Sequence, residues 1–169
     1  IVRNATKGFD PTIYNSAISG HNAVVTLDFL DITDSEEPVY FFGGSCTVRD
    51  STLFSPYVGD AIHVKQGAAL IQRCVFPGNN APDTDAIDFD GVTNGVIEDC
   101  RIYRFQGFNS DGIDLGESAK NILIQGNLIF YNADKGVSVG QGTTVILRNN
   151  LIVGCASGIG VKDLGSSAV

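Results

Sequence analysis

Methionine and tryptophan are absent from these 169 residues, and histidine occurs only twice. Without even an initiator methionine or a signal peptide, the chain reads as a processed or excised piece. No apolar run approaches the roughly 18 residues needed to cross a bilayer, so no membrane span is expected. Basic residues are scarce: 11 Lys and Arg stand against 19 Asp and Glu, a net charge of −8. Nucleic acid, whose phosphates select basic patches, is therefore excluded as a partner. A polyanionic substrate is disfavoured on the same ground, unless cations bridge it or the basic residues gather at one site. Such acidity also serves plain solubility, and both readings stand. No stretch carries helical periodicity. Four cysteines, at 46, 74, 100 and 155, lack zinc-ligand spacing.

What the chain has instead is a repeat. Val145, Leu147, Asn150 and Ile152 are spaced by two, three and two. The same offsets recur at Ile122, Ile124, Asn127, Ile129, and at Gly95, Ile97, Cys100, Ile102. Earlier come Ala69, Ile71, Cys74, Phe76, then Cys46, Val48, Ser51, Leu53, then Val25, Leu27, Leu30, Ile32. A shorter motif precedes each new turn: Val39/Phe41, Ile62/Val64, Ile87/Phe89, Ile113/Leu115, Val137/Val139, Ile159/Val161. Internal repeats of 21 to 27 residues mark a solenoid. Two period-two strands per repeat and no helix make the expected fold an all-β, right-handed parallel β-helix of about six to seven rungs.

Residues 1–169 are expected to form a single β-helix domain. Ile1, Asn4 and Thr6 fit the last inward positions of one rung, and Ser167 and Val169 open another. Both ends would leave strand edges bare, so the chain reads as part of a longer solenoid. Capping by other chain segments or by self-association is expected. In the turn column, Asn127 and Asn150 are expected to hydrogen-bond bent backbone above and below, a structural role. Cys74 and Cys100 share that column. A disulfide across a ~4.8 Å strand spacing would be strained, so buried free thiols are expected.

The residue between the two inward ones of each short motif faces out. Stacking the rungs gives an outward column of Tyr40, His63, Asp88, Asp114, Ser138 and Gly160. At the strand entrance stand Asp60, Asp85, Asp111, Lys135 and Ser157. Asp85, Asp88, Asp90, Asp111 and Asp114 thus gather over two rungs, with His63 at the edge, Lys135 one rung on and Lys162 two. The two longest connections, Phe76 to Ile87 and Ile102 to Ile113, flank this patch. The second carries Tyr103, Phe105 and Phe108, aromatics that can stack on sugar rings or cover their own loop. Carboxylates about 5 Å apart repel. A bound cation, a shared proton or plain solvation would each relieve them, and calcium, which takes six to eight hard oxygens, is the natural ion.

Pro82-Asp83-Thr84-Asp85-Ala86-Ile87-Asp88 resembles the Asn-Thr-Asp-Gly-Ile-Asp rung of polygalacturonase-type glycoside hydrolases. Over about residues 82 to 163, Asp85, Asp111 and Lys162 match that family's pattern, while Ser110 replaces an aspartate, Lys135 the histidine and Gly160 the arginine. The resemblance implies acid–base hydrolysis by Asp85 and Asp111. The pattern is also similar to β-helical polysaccharide lyases in which aspartates hold calcium and a lysine removes a proton. That implies Asp85, Asp88, Asp111 and Asp114 as metal ligands and Lys135 as base. Lys162, Tyr103, Phe105, Phe108 and His63 would contact substrate. More broadly the chain resembles secreted bacterial β-helix repeat proteins, which implies a secreted or cell-surface location. The expectation is a polysaccharide-engaging solenoid, a calcium-assisted polyuronate lyase or relative. Its rival is a non-catalytic structural, adhesion or carbohydrate-binding module.

Overall fold

A computed structural model describes residues 2, 3 and 16–169. The expected inward positions at Ile1, Asn4 and Thr6 lie outside them. Nineteen strands, and no helix among the described residues, stack in parallel into two sheets. A seven-stranded back sheet contains Asp31–Thr33, Thr52–Leu53, Val75–Pro77, Arg101–Tyr103, Leu128–Phe130 and Leu151–Val153, with Val2–Arg3 at its edge. The twelve-stranded sheet has two arms joined by the long strands Ser16–Asp28 and Glu37–Arg49. Its front arm continues through Ile62–Lys65, Ile87–Asp90, Ile113–Gly116, Lys135–Val139 and Ser157–Val161. The middle arm runs through Ala68–Gln72, Gly95–Glu98, Ile122–Gln125, Thr144–Arg148 and Ser167–Ala168.

Each full rung therefore has three strands where the sequence pattern suggests two. The offset of three within the longer motif is a corner. There the backbone turns left-handed, at Asp50 (φ 51°), Arg73 (52°), Asp99 (55°), Gly126 (69°) and Asn149 (52°) in successive rungs, four of the five being L-residues. The corner between front and middle arms admits L-residues such as Glu117 and Ser118, but after Lys65 it needs glycine. Gly67 has φ 79°, and a Cβ there would lie 2.5 Å from the carbonyl oxygen of Gly44 one rung below.

Leu27, Val48, Ile71, Ile97, Ile124 and Leu147 pair consecutively in register, forming the expected single column. The members from Val48 to Ile124 are wholly buried. In the turn column, Cys100 N–H donates to Asn127 Oδ1 and Asn127 N–H to Asn150 Oδ1, while the Asn127 amide donates to the Ile97 carbonyl. The asparagines thus bind bent backbone as expected. All four cysteines are free thiols; Cys46, Cys74 and Cys100 are buried and Cys155 is partly exposed. Among the described residues no helix is long and apolar enough to cross a membrane. Ile159 and Val161, inward residues of the last front-arm strand, are 47% and 49% exposed, and this is the surface the end-capping expectation concerns.

Candidate functional site

The register places Tyr40, His63, Asp88, Asp114, Ser138 and Gly160 side by side on successive front-arm strands. Alternation turns all of them to the outer face. Two residues before the first inward residue of each short motif lies the entrance column, and its carboxylates hold the rungs together. Asp85 N–H donates to Asp60 Oδ1 (2.8 Å), Asp111 N–H to Asp85 Oδ1, and Lys135 N–H to Asp111 Oδ1 (2.7 Å). One oxygen of each of these aspartates is thus engaged with backbone before any ligand arrives.

Glu37 also belongs to this column and is 1% exposed. It stands two residues before Val39, the spacing that marks Asp60 before Ile62, so the repeat carries the signal for it. Around His63 the carboxylates close in from three rungs. Nδ1 lies 3.3 Å from Glu37 Oε1 and 3.9 Å from Asp60 Oδ2; Nε2 lies 3.6 Å from Asp88 Oδ2 and 3.5 Å from Asp90 Oδ2. Tyr40 meets the imidazole edge-on at 5.3 Å. Burial alone would push the His63 pKa down. Hydrogen bonds to Asp90 and Glu37 and the Asp88 charge outweigh it and hold the ring protonated, up to about 11. His63 is thus an internal counter-ion rather than a free substrate contact.

The surrounding acids divide. Burial raises Glu37, Asp88 and Asp111. Asp60 is pushed up to about 7, again by burial. Asp85 rises by burial and then by the nearby Asp60 charge. Asp90 goes the other way, lowered first by its hydrogen bond to His63. Lys65 bridges Asp90 and Glu117, and the Glu117 bond leads in raising it to about 12. Tyr40, Val58, Gly59, Asp60, His63, Lys65, Asp83, Asp88 and Asp90 line an open cleft of about 460 Å³.

Asp85, Asp88, Asp111 and Asp114 do share this face, Asp88 and Asp114 as register neighbours. The metal-ligating atoms that come within 4.8 Å of one another form different groups among the described residues: Glu37–Asp60–His63 and His63–Asp88–Asp90. Lys135 sits beside the quartet, paired to Asp111 and Asp134. Burial works against its charge, but the Asp134 bond and the Asp111 charge win and raise its pKa. The pairing thus favours the charged amine, whereas a base acts through the neutral one. Lys162 lies apart, its side chain folded over Gly140 two rungs from Asp111.

The aromatics divide as well. Phe105 is 1% exposed and belongs to the core, so it cannot stack on a sugar. Arg104 before it is left-handed (φ 64°), which turns the chain so that Phe105 points inward and its N–H meets Asn132 Oδ1. Tyr103 lies flat against Phe130, with ring centroids 5.0 Å apart. Phe108 alone of the three stands out, 85% exposed.

A family model described as the right handed beta helix region matches residues 39–169, which include the whole face except Glu37. No curated protein and no solved structure matches the chain.

Proposed function

The chain belongs to the right-handed β-helix family, and from that premise we propose that its acidic front face engages a polysaccharide and works on it by acid–base chemistry. The observation that carries this reading is the opposed pair Asp88 and Asp90. They stand two residues apart on one strand, line the same cleft and flank the same His63 nitrogen, yet one is raised and the other lowered. Carboxyls pushed apart in this way divide into a proton donor and an ionised partner, the division that glycoside hydrolysis requires. Asp88 is the donor and Asp90 the carboxylate that activates water or stabilises developing positive charge. Asp85 and Asp111, expected in these roles, serve as rung caps and shape the field around the pair. With polysaccharide as the partner, the natural location is outside the cell or on its surface.

The calcium-assisted lyase reading keeps its metal quartet, Asp85, Asp88, Asp111 and Asp114, with Lys135 beside it as the base, which would have to leave Asp111 and Asp134 and lose its proton to act. A non-catalytic solenoid is favoured by one observation: His63, Lys65 and Lys135 already neutralise part of the acidic face from within.

Incubation with neutral polysaccharides and polyuronates, with calcium or with chelator, separates the three. New reducing ends that vanish in Asp88→Asn and Asp90→Asn support hydrolysis. Calcium-dependent unsaturated uronates would replace hydrolysis with elimination. Binding without cleavage leaves a carbohydrate-binding module, and neither binding nor cleavage leaves a structural rod.

A further inference from the structure

Singly exposed apolar side chains are ordinary on protein surfaces. Phe108 differs in how it is held. Its carbonyl accepts the N–H of Asp83 at 2.9 Å, and the next residue, Asn109, donates its amide to Asp83 Oδ1 at 2.7 Å. Gln106 N–H binds the Asn79 carbonyl at 2.7 Å. Phe105 is sunk in the core, and its carbonyl accepts from Ala133 N–H at 2.7 Å. Gly107 packs so tightly that a Cβ would lie 1.7 Å from the Ala81 carbonyl oxygen. The loop is pinned on both sides of an aromatic ring that it nonetheless turns to solvent. Gln106, Gly107, Phe108, Asn109, Ala133 and Asp134 line an open cleft of about 400 Å³.

We propose that this cleft is a second sugar subsite, which takes an uncharged pyranose unit of the same chain that occupies the acidic cleft. The proposal rests on the carbohydrate reading above. The two clefts are neighbours: Asp83 lines one, Asn109 lines the other, and the hydrogen bond between them forms the ridge. A polysaccharide crossing that ridge would fill both. The acidic cleft draws its lining from the rungs of Tyr40, His63 and Asp88, and the second cleft from the two rungs that follow, so a bound chain would run along the stack. A phenyl face without a hydrogen-bonding group offers dispersion to the C–H face of a pyranose. Gln106, Asn109 and Asp134 supply polar atoms for its hydroxyls. None of the residues lining this cleft is basic, and the Lys135 ammonium beside it is already taken up by Asp134 and Asp111, so nothing there favours a uronate over a neutral ring.

The chain has no tryptophan, so Phe108→Trp introduces a single fluorescent reporter at an exposed site. It is titrated with neutral gluco-, manno-, galacto- and xylo-hexasaccharides and with hexagalacturonate. A saturable blue shift with a neutral hexasaccharide and none with hexagalacturonate is expected. Calorimetry on Phe108→Ala should show that neutral ligand bound about tenfold more weakly than by the natural chain. If the natural chain binds the hexasaccharide and Phe108→Ala binds it equally well, the subsite is overturned while the carbohydrate reading stands. A response to hexagalacturonate alone overturns the neutral-ring assignment. If the natural chain binds no sugar at all, subsite and reading fall together.

Discussion

Along the middle arm and its corner, charge is settled locally. Arg49 clasps Asp28 through two nitrogens at 2.8 and 2.9 Å, and Arg73 does the same to Asp50 at 2.7 Å. Glu98 is held between Gln72 and Gln125. The front arm is built from the same rungs over the same core, yet there Glu37, Asp60, Asp85 and Asp111 succeed one another in a single column. Asp88 and Asp114 stand beside them. The charge is offset through three cations, His63, Lys65 and Lys135, and through retained protons. Identical scaffolding with opposite charge arrangement is what singles out the front arm as the candidate site: like charges stacked on a rigid sheet are costly for stability.

The largest test strikes what the arms share. Ile124→Asp puts a charge into the dry column beneath both, and the loss should exceed about 4 kcal/mol, leaving no cooperative melt by circular dichroism. Next, His63→Gln leaves four carboxylates without their buried cation. It should cost about 3–5 kcal/mol at neutral pH in denaturant titrations, the range for breaking a buried ion pair.

Third, calcium should raise the melting temperature by occupying the front face. Preferential binding contributes about 2.7 kcal/mol at a hundredfold excess over the dissociation constant. Asp114→Asn should abolish the gain, and Asp31→Asn, on the back sheet, should keep it. An equal gain in both variants would place the ion elsewhere.

Acidity supplies a fourth test. Burial raises Asp60 from 3.8 to about 7 and lifts Asp85, Asp88 and Asp111 as well, so the folded chain keeps protons that the unfolded one releases. Stability from these groups is complete below the ordinary value of 3.8 and is lost as pH rises through the raised ones. His63, raised from 6.5 to about 11, acts in the same direction at higher pH. The melting temperature should therefore be higher at about pH 5 than at about pH 8, with Asp60→Asn flattening the decline. Smallest of all, Arg73→Ala on the solvent-exposed corner should shift the melt little at either pH. A loss as large as that of His63→Gln would erase the contrast between the arms.

Inward positions were legible because period two and complete burial go together: every residue from Val48 to Ile124 in the central column follows the spacing. Outward columns followed by counting from them, which brought Asp85, Asp88, Asp111 and Asp114 onto one face. The third strand of each rung was hidden because its corner is a backbone conformation, carried by residues as unlike as Asp50, Arg73 and Asn149. Phe105 was misplaced for the same reason, since only the left-handed Arg104 turns it inward. The partnership of Lys135 with Asp134 and the enclosure of His63 depend on how long side chains lean across rungs. Residue spacing does not encode that.

The free cysteines turn the solenoid into its own gauge of opening. Cys155 is partly exposed, whereas Cys100, Cys74 and Cys46 are sealed in successive earlier rungs, each 1% exposed. Because every rung touches only its neighbours, a thiol reagent can reach a buried sulfur only after adjacent rungs separate. The order in which the four become labelled, read by mass spectrometry, would record the direction in which the stack comes apart and how far it travels before refolding.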